Sequence, residues 1–248
     1  MISFAALTSV GVCEKNDDRV MINGEIIADG MTCGVTDNMI LAIICDGVGG
    51  YDFGDEAAEI TCGVFAGLDK QDITKDILET AIDGANASVL IAQSTDVRHR
   101  NMSTTIAGIY IRERDNIVFN VGDTKVYRFR NSYLYQLSVD HTFSQESIDL
   151  GLVRSADEID ERDRHKITRC VGDANRCQPN ISVGENRVYK GDIYLICSDG
   201  LSDVVGNDEI ENILSEQTDI SSRCEKLLAA SIKNGSRDNI SIILLEVT

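Results

Sequence analysis

Short apolar segments rich in β-branched residues recur along the whole chain, and they constrain its fold more than any other feature. Asn23-Gly24 separates Val20-Met21-Ile22 from Glu25-Ile26-Ile27, a pattern that predicts a two-residue hairpin because both turn residues tolerate positive φ. Arg130-Asn131-Ser132 predicts a second turn of this kind. Strands joined so tightly must be antiparallel. The predicted strands are residues 2–10, 19–22, 39–45, 106–112, 116–121, 125–129, 132–137, 192–197 and 239–247.

Five segments instead carry apolar residues at helical spacing, as Ala58, Cys62 and Phe65 do in the first of them. Because strands outnumber helices and hairpins dominate the connections, the sequence favours an α+β fold of layered antiparallel sheets over a parallel, doubly wound sheet. The chain has one proline, Pro179, and no linker rich in Ser, Gly or Pro, so we predict a single domain over residues 1–248. The predicted helices are residues 55–68, 73–92, 145–152, 208–214 and 221–232.

Charge and composition exclude several classes of partner. The 248 residues include 23 Lys+Arg and 41 Asp+Glu, a formal net charge of −18, whereas nonspecific binding to nucleic acid needs cations that neutralise phosphates. We therefore expect no nucleic-acid partner. Hydrophobic residues make up 43% of the chain, which is enough for a sizeable core.

The sequence also predicts a cytoplasmic protein that does not enter a membrane. No Lys or Arg precedes Lys15, so the positive region of a secretory signal is missing. No apolar run approaches the roughly 20 residues that span a bilayer. The eight cysteines are scattered, form no CxxC pair and lie partly in apolar stretches, which indicates reduced thiols.

Aspartates recur where predicted strands begin or end. A single aspartate beside glycine is usually a plain turn, but a turn explains the repetition poorly. A carboxylate at the end of a buried strand is costly unless it is solvated, paired or bound to a cation, and few Lys or Arg lie near enough in sequence to pair with these. Several carboxylates with water in the remaining positions form the ligand set of Mg²⁺ or Mn²⁺. These residues are Asp17, Asp18, Asp46, Asp123, Asp199 and Asp238.

Other kinds of active site find little support in the sequence. The histidines, His99, His141 and His165, do not have the HExxH spacing of a zinc hydrolase. Gly47-Val48-Gly49-Gly50 lacks the GxGxxG pattern, and no GKS or GKT forms a P-loop. Asp52-Phe53-Gly54 matches the metal-binding triplet of kinases, but no HRD loop precedes it, and the GxSxG of serine hydrolases is absent.

Taken in order, the acidic segments resemble the metal-dependent type 2C Ser/Thr protein phosphatases, the PPM family, in its bacterial form. The resemblance covers the whole chain, and seven or more motifs in the family's order are far more specific than any one of them. The matching segments are Asn16-Asp17-Asp18, Asp46-Gly47-Val48-Gly49-Gly50, Ser103-Thr104-Thr105, Val121-Gly122-Asp123-Thr124, Val139-Asp140-His141-Thr142, Ile167-Thr168-Arg169-Cys170-Val171-Gly172, Ser198-Asp199-Gly200-Leu201-Ser202-Asp203 and Asp238-Asn239-Ile240-Ser241.

The resemblance implies a four-layer α-β-β-α sandwich of two antiparallel sheets flanked by helices. It also implies a centre of two Mn²⁺ or Mg²⁺ ions at one end of the sandwich. The implied ligands are Asp46, which would bridge both ions, the carbonyl of Gly47, Asp199 and Asp238 as direct ligands, Asp18 and Asp17 acting mostly through bound water, and Asp123 for a third ion.

The implied reaction is hydrolysis of phosphoserine or phosphothreonine on proteins by a metal-bridged hydroxide. Phosphate-monoester hydrolysis is among the slowest uncatalysed reactions, and two ions roughly 3.5–4 Å apart can both activate a shared water and screen the phosphoryl oxygens. Asp46, Asp199 and Asp238 would be catalytic through that water. His141 is a candidate general acid.

Two departures from the family pattern, and one further match to it, bear on substrate binding. Cys13 occupies the position of an arginine that often grips the substrate phosphate, and a thiol cannot imitate a bidentate guanidinium, which leaves Lys15 or Arg19 as neighbouring cations. Val48 occupies the position of a histidine found in many eukaryotic members. The charged segment 143–164 matches the family's flap, which borders the active site and varies with substrate.

The leading hypothesis is a monomeric protein Ser/Thr phosphatase that acts on a phosphoprotein and opposes a cognate Ser/Thr kinase. The missing arginine keeps open a phosphatase for an anti-sigma-factor antagonist or a similar signalling phosphoprotein. A pseudophosphatase that binds a phosphoprotein without turnover is a further alternative, against which the retention of Asp46, Asp199 and Asp238 argues.

Overall fold

A computed structural model describes residues 1–48, 53–175, 177–184 and 187–248. Gly49 and Gly50 of the Asp46-Gly47-Val48-Gly49-Gly50 segment, and Asp52 of the Asp-Phe-Gly triplet, lie outside the described residues. The strands are β1 (Ile2–Ser9), β2 (Arg19–Ile22), β3 (Glu25–Ile27), β4 (Gly30–Thr36), β5 (Met39–Cys45), β6 (Ile106–Arg112), β7 (Asp115–Val121), β8 (Lys125–Arg130), β9 (Tyr133–Gln136), β10 (Asn180–Val183), β11 (Ile193–Cys197) and β12 (Ile240–Val247).

The helices, like the strands, are numbered in chain order. They are α1 (Gly54–Ala66), α2 (Lys75–Thr95), α3 (Phe143–Asp149), α4 (Glu161–Arg164), α5 (Asp199–Ser202), α6 (Asn207–Leu214) and α7 (Ile220–Lys233). Among the described residues no helix is both long enough and apolar enough to cross a bilayer.

Two antiparallel sheets lie face to face in the middle of the molecule. The first has the order β4-β1-β12-β11-β8-β9 and the second β10-β7-β6-β5-β2-β3. Apolar side chains between the sheets form one core cluster, α1 and α2 pack a second cluster against the β5–β7 side, and α5 to α7 pack a third against β11 and β12. The α+β sandwich of four layers is thereby confirmed.

Strand β5 shows why uninterrupted apolar runs mark the central strands. Its residues Leu41 and Ile43 pack toward α1 and α2, while the alternating Ile40 and Ile44 pack toward the opposite sheet. Successive side chains point to opposite faces of a strand, so a strand buried on both faces must be apolar at every position.

Both predicted hairpin turns are present. Asn23 and Gly24 have φ of 53° and 94°, and Asn131 and Ser132 have φ of 54° and 64°, the double positive φ of a type I′ turn. The first turn joins β2 to β3 and the second joins β8 to β9.

Two strands were not predicted, and both lie at a sheet edge. β4 is largely exposed, and its sequence Gly-Met-Thr-Cys-Gly-Val-Thr has glycines and no continuous apolar run. β10 ends its sheet with four half-buried or exposed residues. An edge strand needs neither full burial nor a strong pattern, because hydrogen bonds to a single neighbour hold it.

Candidate metal centre

The strand pairing places the six aspartates at the same end of the sandwich. In one sheet Arg19, next to Asp18, pairs with Cys45, next to Asp46. In the other sheet Cys197, two residues before Asp199, pairs with Lys125, two residues after Asp123. In antiparallel sheets the end of one strand lies beside the start of its neighbour. Residues from five separate parts of the chain therefore meet.

Asp18 is the most deeply buried member of the group, at 1% exposure. Its Oδ2 accepts a hydrogen bond of 2.6 Å from the hydroxyl of Ser241. Burial raises the pKa of Asp18 to about 7, and the carboxylates of Asp238 and Asp17 add to the increase. Holding this side chain charged at neutral pH is therefore costly without a positive charge nearby.

The carboxyl groups of Asp46 and Asp199 are destabilised in their charged form by the same causes as that of Asp18. Burial raises the pKa of both carboxyls well above the usual value, and their neighbours raise it further. For Asp46 the neighbouring carboxylate with the largest effect is Asp18, and for Asp199 it is Asp123. The group is thus a set of mutually repelling carboxylates, and a bound cation would reduce this repulsion.

Asp123 differs from the others because a lysine lies beside it. Burial raises the pKa of Asp123 to about 6, against the opposing effect of Lys125. The Lys125 ammonium donates to the Asp123 backbone carbonyl at 3.0 Å and forms an ion pair of 3.2 Å with Asp140. A resident cation therefore already offsets part of the negative charge at the position predicted for a third metal ion.

Asp17 and Asp238 complete the group at its solvent side. The backbone N–H of Asp17 donates to Oδ1 of Asn239 at 2.8 Å. Oδ1 of Asp17 is buried and accepts no hydrogen bond from the described residues, although the Lys15 ammonium lies 3.5 Å away, within ion-pair distance. Asp238 is exposed and lines a cavity of about 280 Å³ together with Asp199.

Gly47 lets the N-terminal loop approach the end of β5. A Cβ atom on this residue would lie 2.7 Å from the backbone carbon of Gly54 and 2.8 Å from the backbone oxygen of Asp17. Both distances are below van der Waals contact, so a residue with a side chain would separate Asp17 from Asp46. The predicted carbonyl ligand is therefore also the residue that allows the loops to close.

These donors fit hydrated divalent cations. Every predicted ligand offers oxygen, the carboxylates destabilise one another in their charged form, and a buried oxygen of Asp17 accepts no hydrogen bond. Within the described ranges, no three His, Cys, Asp or Glu side chains lie close enough together to enclose an ion by themselves. An ion held here would complete its coordination with water, as Mg²⁺ commonly does.

His141 lies beside the group but is engaged with the backbone. It is 2% exposed. Its ring Nδ1 accepts the backbone N–H of Gly122 at 3.1 Å, and the backbone N–H of His141 donates to the Gly122 carbonyl at 3.0 Å. Burial lowers the pKa of His141 to about 4, so the ring is neutral at pH 7. These contacts fix the turn that carries Asp123.

The three residues near the N-terminal loop take different positions. The thiol of Cys13 donates to the Arg237 carbonyl at 3.4 Å, and burial, followed by the charge of Asp238, raises its pKa. Arg19 bonds to Glu59 at 2.7 Å and to two backbone carbonyls. The Lys15 ammonium contacts Asp55, and half of the Lys15 side chain is exposed. Lys15 is therefore better placed than Arg19 to contact a phosphate from solvent.

Two residues that the sequence did not assign to the site support it. The Asn239 amide donates to the carbonyls of Val10 and Lys15 at 3.0 and 2.9 Å, which ties the loop before Asp17 to the start of β12. Ser241 bonds to Asp18, as described above. Their place directly after Asp238 was the available signal, but nothing in the sequence indicates which distant backbone each would contact.

The raised pKa of Asp18 predicts how the metal-free protein responds to pH. The unfolded chain loses this proton near the ordinary value of 3.8, whereas the folded protein keeps it up to about 7. The folded state binds more protons in that range, so the free energy of unfolding should fall as pH rises from about 4 to 7. Tm measured in EDTA across this range tests the sign.

Asp18→Asn separates this effect from the general repulsion of an acidic chain. The variant cannot titrate at residue 18, so its Tm should fall less steeply over the same pH range. Equal slopes for the variant and the wild type would contradict the assignment.

Comparison with known proteins gives the family. The family model described as protein phosphatase 2C matches residues 19–239. The chain is 26% identical over 217 residues to the serine/threonine phosphatase Stp of Listeria monocytogenes, covering 85% of each chain. Its fold matches that of the serine/threonine phosphatase Stp1 of Staphylococcus aureus with a TM-score of 0.86, at 24% identity, over 100% of this chain and 96% of that one.

A second solved structure shares the fold and contains metal. The catalytic domain of the serine/threonine protein phosphatase PstP, in complex with two manganese ions, matches with a TM-score of 0.79 at 24% identity, over 100% of both chains. The family match spans most of the sequence and includes four of the six aspartates described above, namely Asp46, Asp123, Asp199 and Asp238. This chain therefore belongs to the protein phosphatase 2C family.

Proposed function

We propose that the protein hydrolyses phosphoserine and phosphothreonine on proteins at a centre of two Mn²⁺ or Mg²⁺ ions, as a single catalytic domain over residues 1–248. The observation that carries the proposal is the cluster of mutually repelling carboxylates, most of them buried or half-buried, at one end of the sandwich. Such a cluster is costly as a structural feature alone, and it occupies the end of the fold where the Asp-Gly segments meet. The names of the bacterial relatives, and the two manganese ions in PstP, support the same function.

We propose the ligand assignments that the family resemblance implies. Asp46 would be shared by the two ions, the Gly47 carbonyl would serve one ion, and Asp199 and Asp238 the other. Asp18 and Asp17 would act mostly through water, and Asp123 would serve a third ion in competition with Lys125. When bound, the ions supply an activated water and neutralise charge on the phosphoryl oxygens.

The remaining residues hold this arrangement in place. Asn239 and Ser241 fix the N-terminal loop and Asp18, and His141 fixes the turn of Asp123, a positioning role that its buried, neutral ring suits better than that of a general acid. Lys15, half-exposed beside Asp17, is the candidate cation for the substrate phosphate. We further propose that the protein is a cytoplasmic monomer that acts on a phosphoprotein and opposes a cognate Ser/Thr kinase.

Release of inorganic phosphate tests the proposal. A phosphothreonine peptide and p-nitrophenyl phosphate should both be hydrolysed with Mn²⁺ present, and neither should be hydrolysed in EDTA. Asp199→Asn should lower kcat on both substrates by about a hundredfold or more, since losing one contact to the charge that develops in a transition state commonly costs this much.

A folded, metal-binding protein that releases phosphate from neither substrate would overturn the proposal. In that event a phosphoprotein-binding pseudophosphatase would be the better reading of the same site. Activity on p-nitrophenyl phosphate but on no general phosphopeptide would instead favour a dedicated signalling phosphoprotein, such as an anti-sigma-factor antagonist.

A further inference from the structure

A histidine directly after the flap, His165, contacts a carboxylate outside the flap. The neighbouring cations Arg164 and Lys166 pair with Asp157 and Asp163, which belong to the flap itself. The ring nitrogen Nδ1 of His165 lies 3.5 Å from Oδ2 of Asp203. This contact joins the end of the flap to the far side of the carboxylate group.

Asp203 forms part of the wall of the candidate site. Its backbone N–H donates to the Asp199 carbonyl at 2.9 Å at the end of α5. Its side chain lines the cavity of about 280 Å³ that Asp199 and Asp238 also line, and its charge is among the causes of the raised pKa of Asp199. The imidazole of His165 therefore contacts a residue that forms part of the wall of this cavity.

The hydrolysis proposed above requires a proton donor for the leaving oxygen. Serine and threonine leave as alkoxides, which are poor leaving groups unless a proton is transferred to the oxygen. The carboxylates of the site are required as ligands, and His141 is buried and engaged with Gly122. His165, in contrast, has a side chain that is 62% exposed. In the protonated ring, a carboxylate that accepts the Nδ1 proton leaves the Nε2 proton free to be donated.

We propose that His165 is the general acid, donating a proton from Nε2 to the leaving oxygen, and that Asp203 is the residue that orients it. This inference rests on the proposed function. In the step, water attacks phosphorus and loses a proton to solvent, and the bond from phosphorus to the leaving oxygen breaks. That oxygen takes the Nε2 proton and leaves as the alcohol, and the neutral imidazole regains a proton from solvent.

A series of small aryl phosphates isolates this role from substrate binding by the flap. From p-nitrophenyl phosphate to unsubstituted phenyl phosphate the substrates have similar size, but the leaving phenolate becomes more basic and needs a proton more. His165→Gln should leave kcat on p-nitrophenyl phosphate within about threefold, and should lower kcat on phenyl phosphate and on a phosphothreonine peptide by about a hundredfold. Asp203→Asn should show the same dependence on leaving group with a smaller loss.

Two further measurements complete the test. The increase in Tm caused by Mn²⁺ should be the same in His165→Gln as in the wild type, which shows that the centre still binds metal. Lys166→Gln removes a neighbouring cation that pairs within the flap, and it should hydrolyse every substrate at the wild-type rate.

The outcomes separate the two proposals. An equal loss on all substrates, or no loss on any, would overturn the assignment of His165 while the proposed phosphatase activity stands. A wild-type protein that releases phosphate from none of the substrates would overturn both.

Discussion

Replacing Asp46 by asparagine should lower kcat on a phosphothreonine peptide by about a thousandfold and, in the same protein, raise the Tm measured without metal. Asp46 is the proposed shared ligand, so its loss weakens the hold on both ions. Charge stabilisation by metal ions contributes several kcal/mol to such reactions, and each 1.4 kcal/mol is about a factor of ten in rate.

The stability effect has the opposite sign because like charges surround Asp46. Burial and the carboxylates of Asp18, Asp199, Asp123 and Asp238 raise its pKa well above the usual value. A neutral amide of similar shape removes that repulsion. Metal binding stabilises the folded state by mass action, so the increase in Tm on adding Mn²⁺ should be large in the wild type and small in the variant.

Thermal unfolding with EDTA and with Mn²⁺, beside the rate assay, measures both effects. Asp115→Asn is the matched control. Asp115 is exposed and is the first residue of β7, whereas Asp123 comes after the last residue of that strand. It should change neither quantity. A lower Tm for metal-free Asp46→Asn than for the wild type would show that Asp46 is a structural hydrogen-bond acceptor, contrary to the proposal.

Replacing Gly200 by alanine should destabilise the protein by about 1–3 kcal/mol and also weaken its response to Mn²⁺. A Cβ atom on Gly200 would lie 2.0 Å from the backbone oxygen of Asn239. Gly200 follows Asp199, and Asn239 follows Asp238, so relief of this clash must move two proposed ligands apart. The Gly200 carbonyl also accepts a 2.6 Å hydrogen bond from Ser231 on α7, which limits movement in the other direction.

Gly206→Ala provides the control for this substitution. Gly206 precedes α6 and has an ordinary negative φ of −68°, and a Cβ atom there has no neighbour within 4 Å. We expect Gly200→Ala to lower Tm by roughly 2–4 °C per kcal/mol and to raise the Mn²⁺ concentration needed for half-maximal stabilisation. Gly206→Ala should match the wild type in both measurements. Equal behaviour of the two variants would show that the approach at Gly200 does not position the ligands.

The arrangement of the central strands could be predicted because their pattern is local. The uninterrupted apolar run of β5 requires two buried faces, and Asn23-Gly24 can form its hairpin turn whatever surrounds it. The edge strands β4 and β10 could not be predicted, since one neighbouring strand holds each and neither needs an apolar run. The helix boundaries of α1 and α7 were correct to within one or two residues, because their apolar faces pack against the sheets.

The sequence by itself determined the family and the layered antiparallel fold, and it supplied the carboxylates that we propose as ligands, because these depend on residue types and on their order along the chain. Tertiary structure alone decided how those carboxylates affect one another. The raised pKa of Asp18, the hydrogen bond from Ser241, the engagement of His141 with Gly122 and the contact of His165 with Asp203 all join segments far apart in sequence. The physical reason is that burial and charge interactions depend on distance in space, which strand pairing sets and no local pattern encodes.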